Sequence, residues 1–432
     1  MQTRANTTLP GPRALALVAA VYPALSETFV YREAVGLAAR GWQVRTVSLH
    51  PLGAERRAEH VQPASLAISG PHTSRTLAAA GLELLTHPLQ SLWTVWKALC
   101  DALVPGEPTS LAGRFRVLGL GVLALGLARA LRGWGVSHVH CHFANGPTTL
   151  GMYAALHLDL PFSFVGHAND LFDRRSLLRR KLERAAFVSC ISEWHRSWYR
   201  ELCPSRAERY QLIRCGVDVE SWRPCRPRQS GEVLRVLCVA RLIPKKGVDT
   251  LLRALARARK QHGLAVELRI AGDGPQRATL EALAAELELE SSVQFLGAVP
   301  NEEVAALMSA ADVFVLACRT DRLGDRDGIP VVLMEAMAAE LPVIVGDLPT
   351  IRELVRDGET GLLVAGDDVA ALADRLVALA PCPDERARLG AAGRRAVAAE
   401  FALAPNLDRL EQALLGRTAE EAIAKLRLES VG

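Results

Sequence analysis

Two clusters of ionisable residues in the second half of the chain have the types and spacing of a ligand-binding site. The first contains Arg241 and Lys246, which lie in the segment VARLIPKKG between an apolar run and a predicted helix. Cations beside a helix N-terminus, where backbone N–H groups are free to donate, suit a diphosphate. The simpler interpretation is two exposed cations in a loop.

The second cluster contains two carboxylates, Asp327 and Glu335, which stand eight positions apart in DGIPVVLMEAMA. Pro330 suits the first turn of a helix, so we expect Glu335 about one turn inside that helix and Asp327 in the loop before it. One carboxylate could then face a sugar while the other accepts hydrogen bonds from a ribose. The simpler interpretation is a charge favoured by the helix dipole and a polar surface glutamate.

Two further patterns are weaker. Gly272 and Gly274 lie in a predicted strand-to-helix turn, where glycine permits positive φ and close approach of the backbone to a ligand. His138, His140 and His142 alternate along a predicted strand, so their side chains share one face and could bind zinc. We favour a polar strand end near a cleft over a metal site.

The composition is that of a folded globular protein of two or three domains. The 432 residues are 50% hydrophobic, and the net charge is +4. Residues 1–230 hold 27 Lys+Arg and 16 Asp+Glu, a net of +11, whereas residues 231–432 hold 24 and 31, a net of −7. A basic half favours an anionic partner or surface, although a solvated basic face explains it equally well. Aromatic residues are only 5% and no nucleic-acid-reading motif occurs, which argues against nucleic-acid binding.

The cysteines and apolar runs indicate a reducing compartment and no spanning helix. Nine cysteines occur without a CxxC pair, which argues against a disulfide framework or a thiolate zinc site. The longest apolar run, residues 117–128, is shorter than the roughly 18 residues of a spanning helix. Arg13 and the residues 14–26 that follow it could pass for a short signal peptide, but we interpret residues 14–21 as a first buried strand.

Alternating strands and helices predict two α/β domains. Residues 14–21, 43–48, 138–143, 161–165 and 187–191 are expected strands of the first half, and 233–239, 265–271, 293–296 and 311–317 those of the second. Residues 222–231, rich in proline, serine and glycine, are a predicted linker. Parallel sheets with a cleft at the carboxyl ends of their strands follow. A nicotinamide dehydrogenase is disfavoured, because no GxGxxG follows the first strand of either half.

Several motifs together carry a family resemblance. VARLIPKKG, AGDGP, FLGAV, DGIPVVLMEAMA and DGETGLLV occur in order, and the chain resembles the retaining GT-B glycosyltransferases of family 4. YPALSETFVYRE, HVHCHFA, FSFVGHAND and LIRCGVD resemble the colanic-acid and amylovoran exopolysaccharide branch. The resemblance implies two Rossmann-like domains facing each other across a deep cleft. Residues 1–224 would bind the acceptor, residues 232–400 the nucleotide sugar, and residues 401–432 would form helices crossing back to the first domain.

The resemblance also implies roles for individual residues. Arg241 and Lys246 would hold the donor diphosphate, and Glu335 the donor ribose. Asp327 would face the donor sugar, and His167 would lie near the sugar that is transferred. The remaining expected donor contacts are the backbone amides of Gly328 and Ile329 and the glycine turn of Gly272 and Gly274. No metal or other cofactor is expected, because the donor is itself the substrate.

One departure from the family pattern concerns Asp327, which occupies a position where the family has glutamate. Aspartate shortens the arm by about 1.5 Å, and catalytic groups are sensitive to displacements of that size. Three alternatives follow: the loop lies further inward, Asp325 substitutes, or the activity is weakened. The competing hypothesis is therefore a catalytically weakened nucleotide-sugar-binding partner in a polysaccharide assembly complex.

The predicted acceptor is a glycan or a lipid-linked glycan, which raises the question of membrane contact. Trp93, Trp96, Leu99 and Leu103 can share part of a helix face, and Arg114 and further arginines from 174 to 184 add basic charge. Such a helix could dock on anionic lipid, although core packing explains its apolar residues equally well. We expect a cytoplasmic protein that is peripheral on the inner face of the plasma membrane, acting in exopolysaccharide or lipopolysaccharide synthesis.

Overall fold

The computed structural model describes residues 13–24, 27–51, 62, 64–104, 110–172, 175–222 and 233–416. Within them the chain is an α/β protein with two parallel sheets, each covered by helices. The predicted domain boundaries at 224 and 232 lie outside the described residues, as does the part of the predicted C-terminal helices beyond residue 416.

The first sheet has seven parallel strands in the order β3-β2-β1-β4-β5-β6-β7. Their bounds are β1 Ala14–Ala19, β2 Gln43–Ser48, β3 Leu66–Ala67, β4 His138–His142, β5 Phe162–Val165, β6 Phe187–Cys190 and β7 Tyr210–Leu212. Strand β1 pairs with β2 and β4 and is buried along its whole length. Residues 14–19 therefore form a core strand, as the sequence interpretation expected.

Eight helices connect these strands: α1 Thr28–Ala39, α2 Thr73–Thr86, α3 Pro88–Leu103, α4 Leu111–Trp134, α5 Gly146–Leu158, α6 Asn169–Phe172, α7 Leu178–Arg184 and α8 Glu193–Leu202. Helix α4 is long and apolar enough to cross a membrane by length and composition alone. It packs against α2, α3 and α5 and buries Leu127, Ala128 and Leu131. These contacts are those of a core helix.

The second sheet has six parallel strands in the order β10-β9-β8-β11-β12-β13. The strands are β8 Leu234–Val239, β9 Val266–Ala271, β10 Val293–Gly297, β11 Val313–Leu316, β12 Val343–Gly346 and β13 Leu362–Val364. The helices are α9 Val248–His262, α10 Arg277–Glu286, α11 Asn301–Ala310, α12 Val331–Ala338, α13 Val369–Leu379 and α14 Pro383–Glu400. In both sheets a βαβ order with parallel strands directs the carboxyl ends of the strands to one edge.

A final helix, α15 Leu403–Leu414, packs on the first sheet rather than the second. Leu407 and Leu410 share a buried cluster with Leu15 and Leu37. Burial of these apolar side chains joins the end of the chain to its beginning, at roughly 1.5–3 kcal/mol for each fully buried leucine. The chain thus passes from the second sheet back to the first.

Candidate active site

A buried group of lysines and aspartates follows strands β8 and β11. We call Lys245, Lys246, Asp325 and Asp327 the Lys–Asp cluster. Lys246 Nζ donates a 2.7 Å hydrogen bond to Asp327 Oδ2, and Lys245 Nζ lies 3.5 Å from Asp327 Oδ1 and 3.0 Å from Asp325 Oδ2. Burial by itself would raise the pKa of Asp327, but Lys246 and Lys245 lower it from 3.8 to about 2. Asp327 is therefore ionised at neutral pH.

Sequence reasoning missed Lys245, which is more buried than its neighbour. The Lys245 side chain is 3% exposed, against 12% for Lys246. The one available signal was the adjacent pair of lysines, which in a loop is typical of a solvated surface. Asp325 and Asp327 both lie within ion-pair distance of Lys245, and which of them would face the donor sugar stays a prediction.

Arg241 lies in the loop after β8 and is exposed. Burial raises the pKa of Glu27, at the start of α1 in the first domain, to about 7, and the charge of Arg241 opposes that rise. The pKa of Lys246 is raised overall. Burial would lower that pKa, the negative charges of Asp327 and Cys318 outweigh this effect, and the positive charge of Arg241 partly opposes them. Arg241 is thus within electrostatic range of both domains. Among the described residues the Arg241 guanidinium has no hydrogen-bond or ion-pair partner, so its N–H groups can serve a ligand.

The glycine turn after β9 supports the loop that carries Arg241. Gly272 has φ of 139°, and a Cβ there would stand 1.8 Å from the carbonyl oxygen of Ala240. A Cβ on Gly274 would stand 2.6 Å from the carbonyl oxygen of Leu242. The positive φ expected in this turn is present at Gly272, and the close approach is to protein backbone. Direct donor contacts at these glycines stay a prediction.

Gly328 brings the loop that follows Asp327 against the first domain. A Cβ at Gly328 would stand 2.6 Å from the carbonyl oxygen of His167 and 2.9 Å from Ile191 Cδ1. The following residue, Ile329, turns its side chain into the core of the second domain. Residue 328 must therefore be small for the two domains to meet at this distance. The contact brings Gly328 and Ile329 beside His167, and all three are predicted site residues.

Glu335 is bound by an arginine of the opposite domain. Arg32 Nη2, on α1, donates a 2.7 Å hydrogen bond to Glu335 Oε1, on α12, and both side chains are largely buried. Burial raises the pKa of Glu335, and Arg32 only partly offsets that rise. The carboxylate that the resemblance assigns to the donor ribose is thus paired with protein. Arg32 lies in the motif YPALSETFVYRE, but a partner 303 positions away leaves no local signal.

His167 lies at the carboxyl end of β5 among other rings. Its Nε2 is 3.4 Å from His142 Nδ1, and the two imidazoles stack at 5.6 Å with an interplanar angle of 7°. The ring of Phe29 lies 4.3 Å from it. Burial, together with the neighbouring histidines, holds the pKa of His167 well below 6.5. His167 is therefore a neutral imidazole, with one ring nitrogen that donates a hydrogen bond and one that accepts.

The three histidines of β4 do not form the predicted single group of imidazoles. His140 and His142 join Glu33 of α1, and their ligand atoms lie within 4.8 Å of one another. His138 Nε2 instead bonds to Ser163 Oγ at 2.7 Å. Two imidazoles and a carboxylate are a set that can hold a divalent metal. The expectation that no metal is needed stays a prediction.

Comparison with known families divides the chain as the two sheets do. Residues 226–396 match the family described as Glycosyl transferases group 1, and residues 26–221 match Glycosyltransferase Family 4. Together the two matches include every site residue described above. The Lys–Asp cluster and Glu335 belong to the C-terminal match, and Glu335 contacts Arg32 of the N-terminal match.

Curated relatives carry transfer activities in their names. The chain is 36% identical over 236 residues to a GDP-mannose-dependent alpha-(1-6)-phosphatidylinositol monomannoside mannosyltransferase of Mycobacterium tuberculosis, which covers 52% of this chain and 61% of that protein. It is 36% identical over 210 residues to the amylovoran biosynthesis glycosyltransferase AmsK of Erwinia amylovora, and the match covers 48% of this chain and 51% of that protein. It is 34% identical over 268 residues to a phosphatidyl-myo-inositol mannosyltransferase of Mycobacterium leprae, covering 60% and 68%.

Solved structures share the architecture over nearly the whole chain. Sucrose-phosphate synthase from Thermosynechococcus elongatus superposes with a TM-score of 0.68 at 21% identity, covering 93% of this chain and 98% of that one. Anabaena HepE in complex with UDP and glucose superposes with a TM-score of 0.68 at 17% identity, covering 94% of this chain and 100% of that one. These likenesses establish the fold. The chain therefore belongs to the group 1, family 4 glycosyltransferases, with the two facing Rossmann-like domains of the GT-B fold.

Proposed function

We propose that this glycosyltransferase moves a sugar from a nucleoside diphosphate to a hydroxyl of a glycan or lipid-linked acceptor, with retention at the anomeric carbon and without a divalent metal. The observation that carries the proposal is the group of cations at the edge of the second sheet. Arg241, Lys245 and Lys246 lie on one loop, and two of them are largely buried. Buried cations stabilise a departing diphosphate more than exposed ones, because solvent screens them less.

The Lys–Asp cluster gives Lys246 a role that depends on its partner. The Lys246 ammonium has three N–H donors, and one is used by Asp327. A diphosphate that enters beside Lys246 can take another donor while Asp327 keeps the side chain in place. As the bond to the anomeric carbon breaks, negative charge grows on the diphosphate, and Arg241 and Lys246 stabilise it. The departing phosphate would then accept the acceptor proton on the same face of the sugar, which gives retention.

The donor nucleotide is proposed from the names of the relatives. The mycobacterial relative is GDP-mannose-dependent, and the amylovoran relative acts in exopolysaccharide biosynthesis. We therefore propose GDP-mannose as the first donor to test, with UDP-glucose as the second because HepE was solved with UDP and glucose. A bound donor raises the melting temperature by mass action, so a thermal-shift panel ranks the candidates.

Replacing the cations tests the assignment. Arg241→Ala and Lys246→Ala should each lower transfer from the preferred donor by about 10²-fold or more, as for loss of a group that stabilises transition-state charge. Arg253→Ala, at an exposed position of α9, is the matched control and should leave transfer unchanged. Circular dichroism checks that each variant folds. Near-normal transfer by both cation variants would reject the role. Donor binding without transfer or hydrolysis by the wild type would favour the assembly-partner hypothesis.

We also propose that helix α3 docks the protein on an anionic membrane surface, where a lipid-linked acceptor would lie. Helix α3 turns small and polar side chains inward, namely Ser91, Thr94, Ala98, Asp101 and Ala102. Its large apolar side chains point outward: Leu89 is 82% exposed, Leu92 61% and Trp96 60%. Leu85 on α2 and Leu111 and Phe115 on α4 are exposed as well, and both helices pack against α3. A soluble helix ordinarily has the opposite arrangement.

The charge around this surface favours anionic lipid. In the described parts of residues 70–134, the acidic residues are Glu83 and Asp101, and both are buried and paired with arginines. Basic side chains remain partly or fully exposed at Arg75, Lys97, Arg114 and Arg116. A basic rim around exposed leucine and tryptophan is typical of interfacial helices.

Vesicle sedimentation tests the docking proposal. The wild type should bind vesicles containing phosphatidylglycerol, bind phosphatidylcholine vesicles less, and lose affinity as salt screens the charges. Leu89→Ser combined with Trp96→Ser should weaken binding by roughly 10-fold or more, from the apolar area removed. Leu323→Ser changes a 78% exposed leucine of the second domain and is the matched control. Equal binding by the double variant and the control would exclude α3 as the docking surface.

A further inference from the structure

Glu27 has a buried carboxyl oxygen that the protein itself leaves unused. The residue immediately precedes helix α1 and belongs to the motif YPALSETFVYRE. Its side chain does not cap the helix, and its backbone N–H and C=O bond to Ala24 and Val30 at 3.2 and 3.0 Å. Glu27 Oε2 has no hydrogen-bond partner in the parts of the chain that the structure describes. Because buried polar atoms are nearly always hydrogen-bonded, we expect its partner to come from outside the chain.

The place of Glu27 is the wall of the first domain that faces the donor cations. Arg241 of the second domain is the residue whose charge acts most strongly on Glu27. No ion pair joins the two side chains among the residues described, so the Arg241 guanidinium and Glu27 Oε2 each remain available to a ligand. Glu27 is only half-buried as a whole residue, which leaves its carboxyl group within reach of a molecule bound in the cleft.

The other charged neighbours of Glu27 lie in the first domain and already have partners. Asp170 Oδ2 accepts a 2.6 Å hydrogen bond from the backbone N–H of Ala144, and its Oδ1 accepts a 2.9 Å bond from that of Ala168. His142 Nε2 lies 3.0 Å from Glu33 Oε1. Asp170 and His142 act on Glu27 through their charges, and neither bonds to Oε2. The partner of Oε2 is therefore expected on a substrate.

A hydroxyl group has the chemistry that this oxygen requires. A hydroxyl both donates and accepts, so it fits a carboxyl group whether that group is ionised or protonated. The diphosphate of a nucleotide sugar carries acceptor oxygens and no donor, and its charge draws it to Arg241 instead. The ribose and the sugar of the donor are assigned to carboxylates of the second domain. The acceptor is the hydroxyl-bearing substrate that has no assigned contact.

We propose that Glu27 binds the acceptor through a hydroxyl next to the one that reacts, and so orients the acceptor beside the donor diphosphate. The inference rests on the proposed function, in which the reacting hydroxyl gives its proton to the departing phosphate. The oxygen of that hydroxyl bonds to the anomeric carbon as the bond from this carbon to the phosphate oxygen breaks, and Glu27 neither gains nor loses a proton. Acceptors that fit are sugars and cyclic polyols with neighbouring hydroxyls.

Transfer kinetics with deoxygenated acceptors test this contact. The acceptor probes are methyl α-mannoside and its monodeoxy analogues, used with the donor that the thermal-shift panel prefers. Glu27→Ala should lower kcat/KM for methyl α-mannoside by about 10-fold or more, because a hydrogen bond is lost. The donor KM should stay within about threefold of the wild type, since no donor contact is removed. With the analogue that lacks the hydroxyl bound by Glu27, wild type and Glu27→Ala should agree within about twofold.

Three further variants separate binding from structure. Glu27→Gln keeps a carbonyl oxygen and should retain most of the wild-type kcat/KM for methyl α-mannoside. Glu27→Met fills a similar volume without an oxygen, and it repeats the measurement if circular dichroism shows that Glu27→Ala does not fold. Glu201→Ala, at an exposed position of α8, is the matched control and should change none of these values.

Four results would overturn the inference. Glu27→Ala and Glu27→Met with wild-type kcat/KM for methyl α-mannoside would show that the acceptor does not use Glu27. A loss of the same factor with every analogue that reacts would indicate a structural role. A rise in donor KM in place of the acceptor effect would assign Glu27 to the donor. A wild type that hydrolyses the donor but does not use methyl α-mannoside would exclude a sugar hydroxyl at Glu27. A wild type that neither transfers nor hydrolyses any donor would instead refute the proposed function, on which this inference rests.

Discussion

Changing Asp327 to asparagine removes the charge that compensates the two lysines of the Lys–Asp cluster. The pKa of Asp327 falls from 3.8 to about 2 in the folded protein, and the aspartate is buried, so its charge is little screened by solvent. A shift of this size corresponds to about 2.4 kcal/mol of folding free energy at neutral pH. For a domain of this size we expect a melting temperature roughly 5–10 °C lower.

The sign of the pH dependence follows from the direction of the shift. A depressed pKa stabilises the folded state at pH values above the unfolded pKa of 3.8 and ceases to do so as the pH falls through about 2. The difference between wild type and Asp327→Asn should therefore be complete at pH 7 and about half as large at pH 3. Urea unfolding followed by tryptophan fluorescence at the two pH values measures it.

An exposed ion pair provides the control for this experiment. Asp367 pairs with Arg319 at 2.9 Å, but its side chain is 77% exposed. Asp367→Asn makes the same chemical change and should cost less than about 1 kcal/mol at either pH. A loss at Asp327 as small as that at Asp367, or a loss that does not change between pH 7 and pH 3, would refute the electrostatic argument.

Two further predictions concern the cleft. Arg32 is paired with the Glu335 carboxylate and would compete with a donor ribose for it, so Arg32→Ala should strengthen binding of a nucleoside diphosphate by a factor of several in calorimetry. Arg32→Lys should change that affinity less. Weaker binding by Arg32→Ala would mean that the arginine itself contacts the donor. Burial raises the pKa of Glu27 from 4.5 to about 7, so stability is lost as the pH rises from 4.5 through 7. Glu27→Gln should therefore raise the free energy of unfolding at pH 8 by at most about 3.4 kcal/mol and leave it unchanged at pH 4. A gain of equal size at both pH values would contradict this cause.

The strands that the sequence predicted well are those whose apolar runs end at polar or turn residues. Residues 43–48 form a strand with the predicted bounds. Most other strands are one to three residues shorter than predicted, and the strand predicted at 293–296 is one residue longer, because pairing with a neighbour and not side-chain type decides where a ladder ends. Strands Leu66–Ala67 and Tyr210–Leu212 were missed, since two or three residues carry no periodicity.

The candidate site divides in the same way. Arg241, Lys246 and Asp327 were identified from local motifs, because a loop after a buried strand and before a helix has a recognisable composition. Arg32 was not, since its partner is on the other domain and only the relative placement of the two sheets creates the contact. A zinc-binding face of three imidazoles was a plausible hypothesis from alternation, but the position of α1 joins Glu33 to two of them.

The sequence by itself determined the two α/β halves, the loop that carries the cations, and the periodic stripe of leucine and tryptophan on α3. Only the tertiary structure decided which way that stripe faces, because the side of a helix that is buried depends on what packs against it. It also decided that Asp327 binds lysine, that Glu335 binds Arg32, and that Glu33 contacts His142. Hydrogen bonds and ion pairs form within about 4 Å, and separation along the chain does not specify such distances.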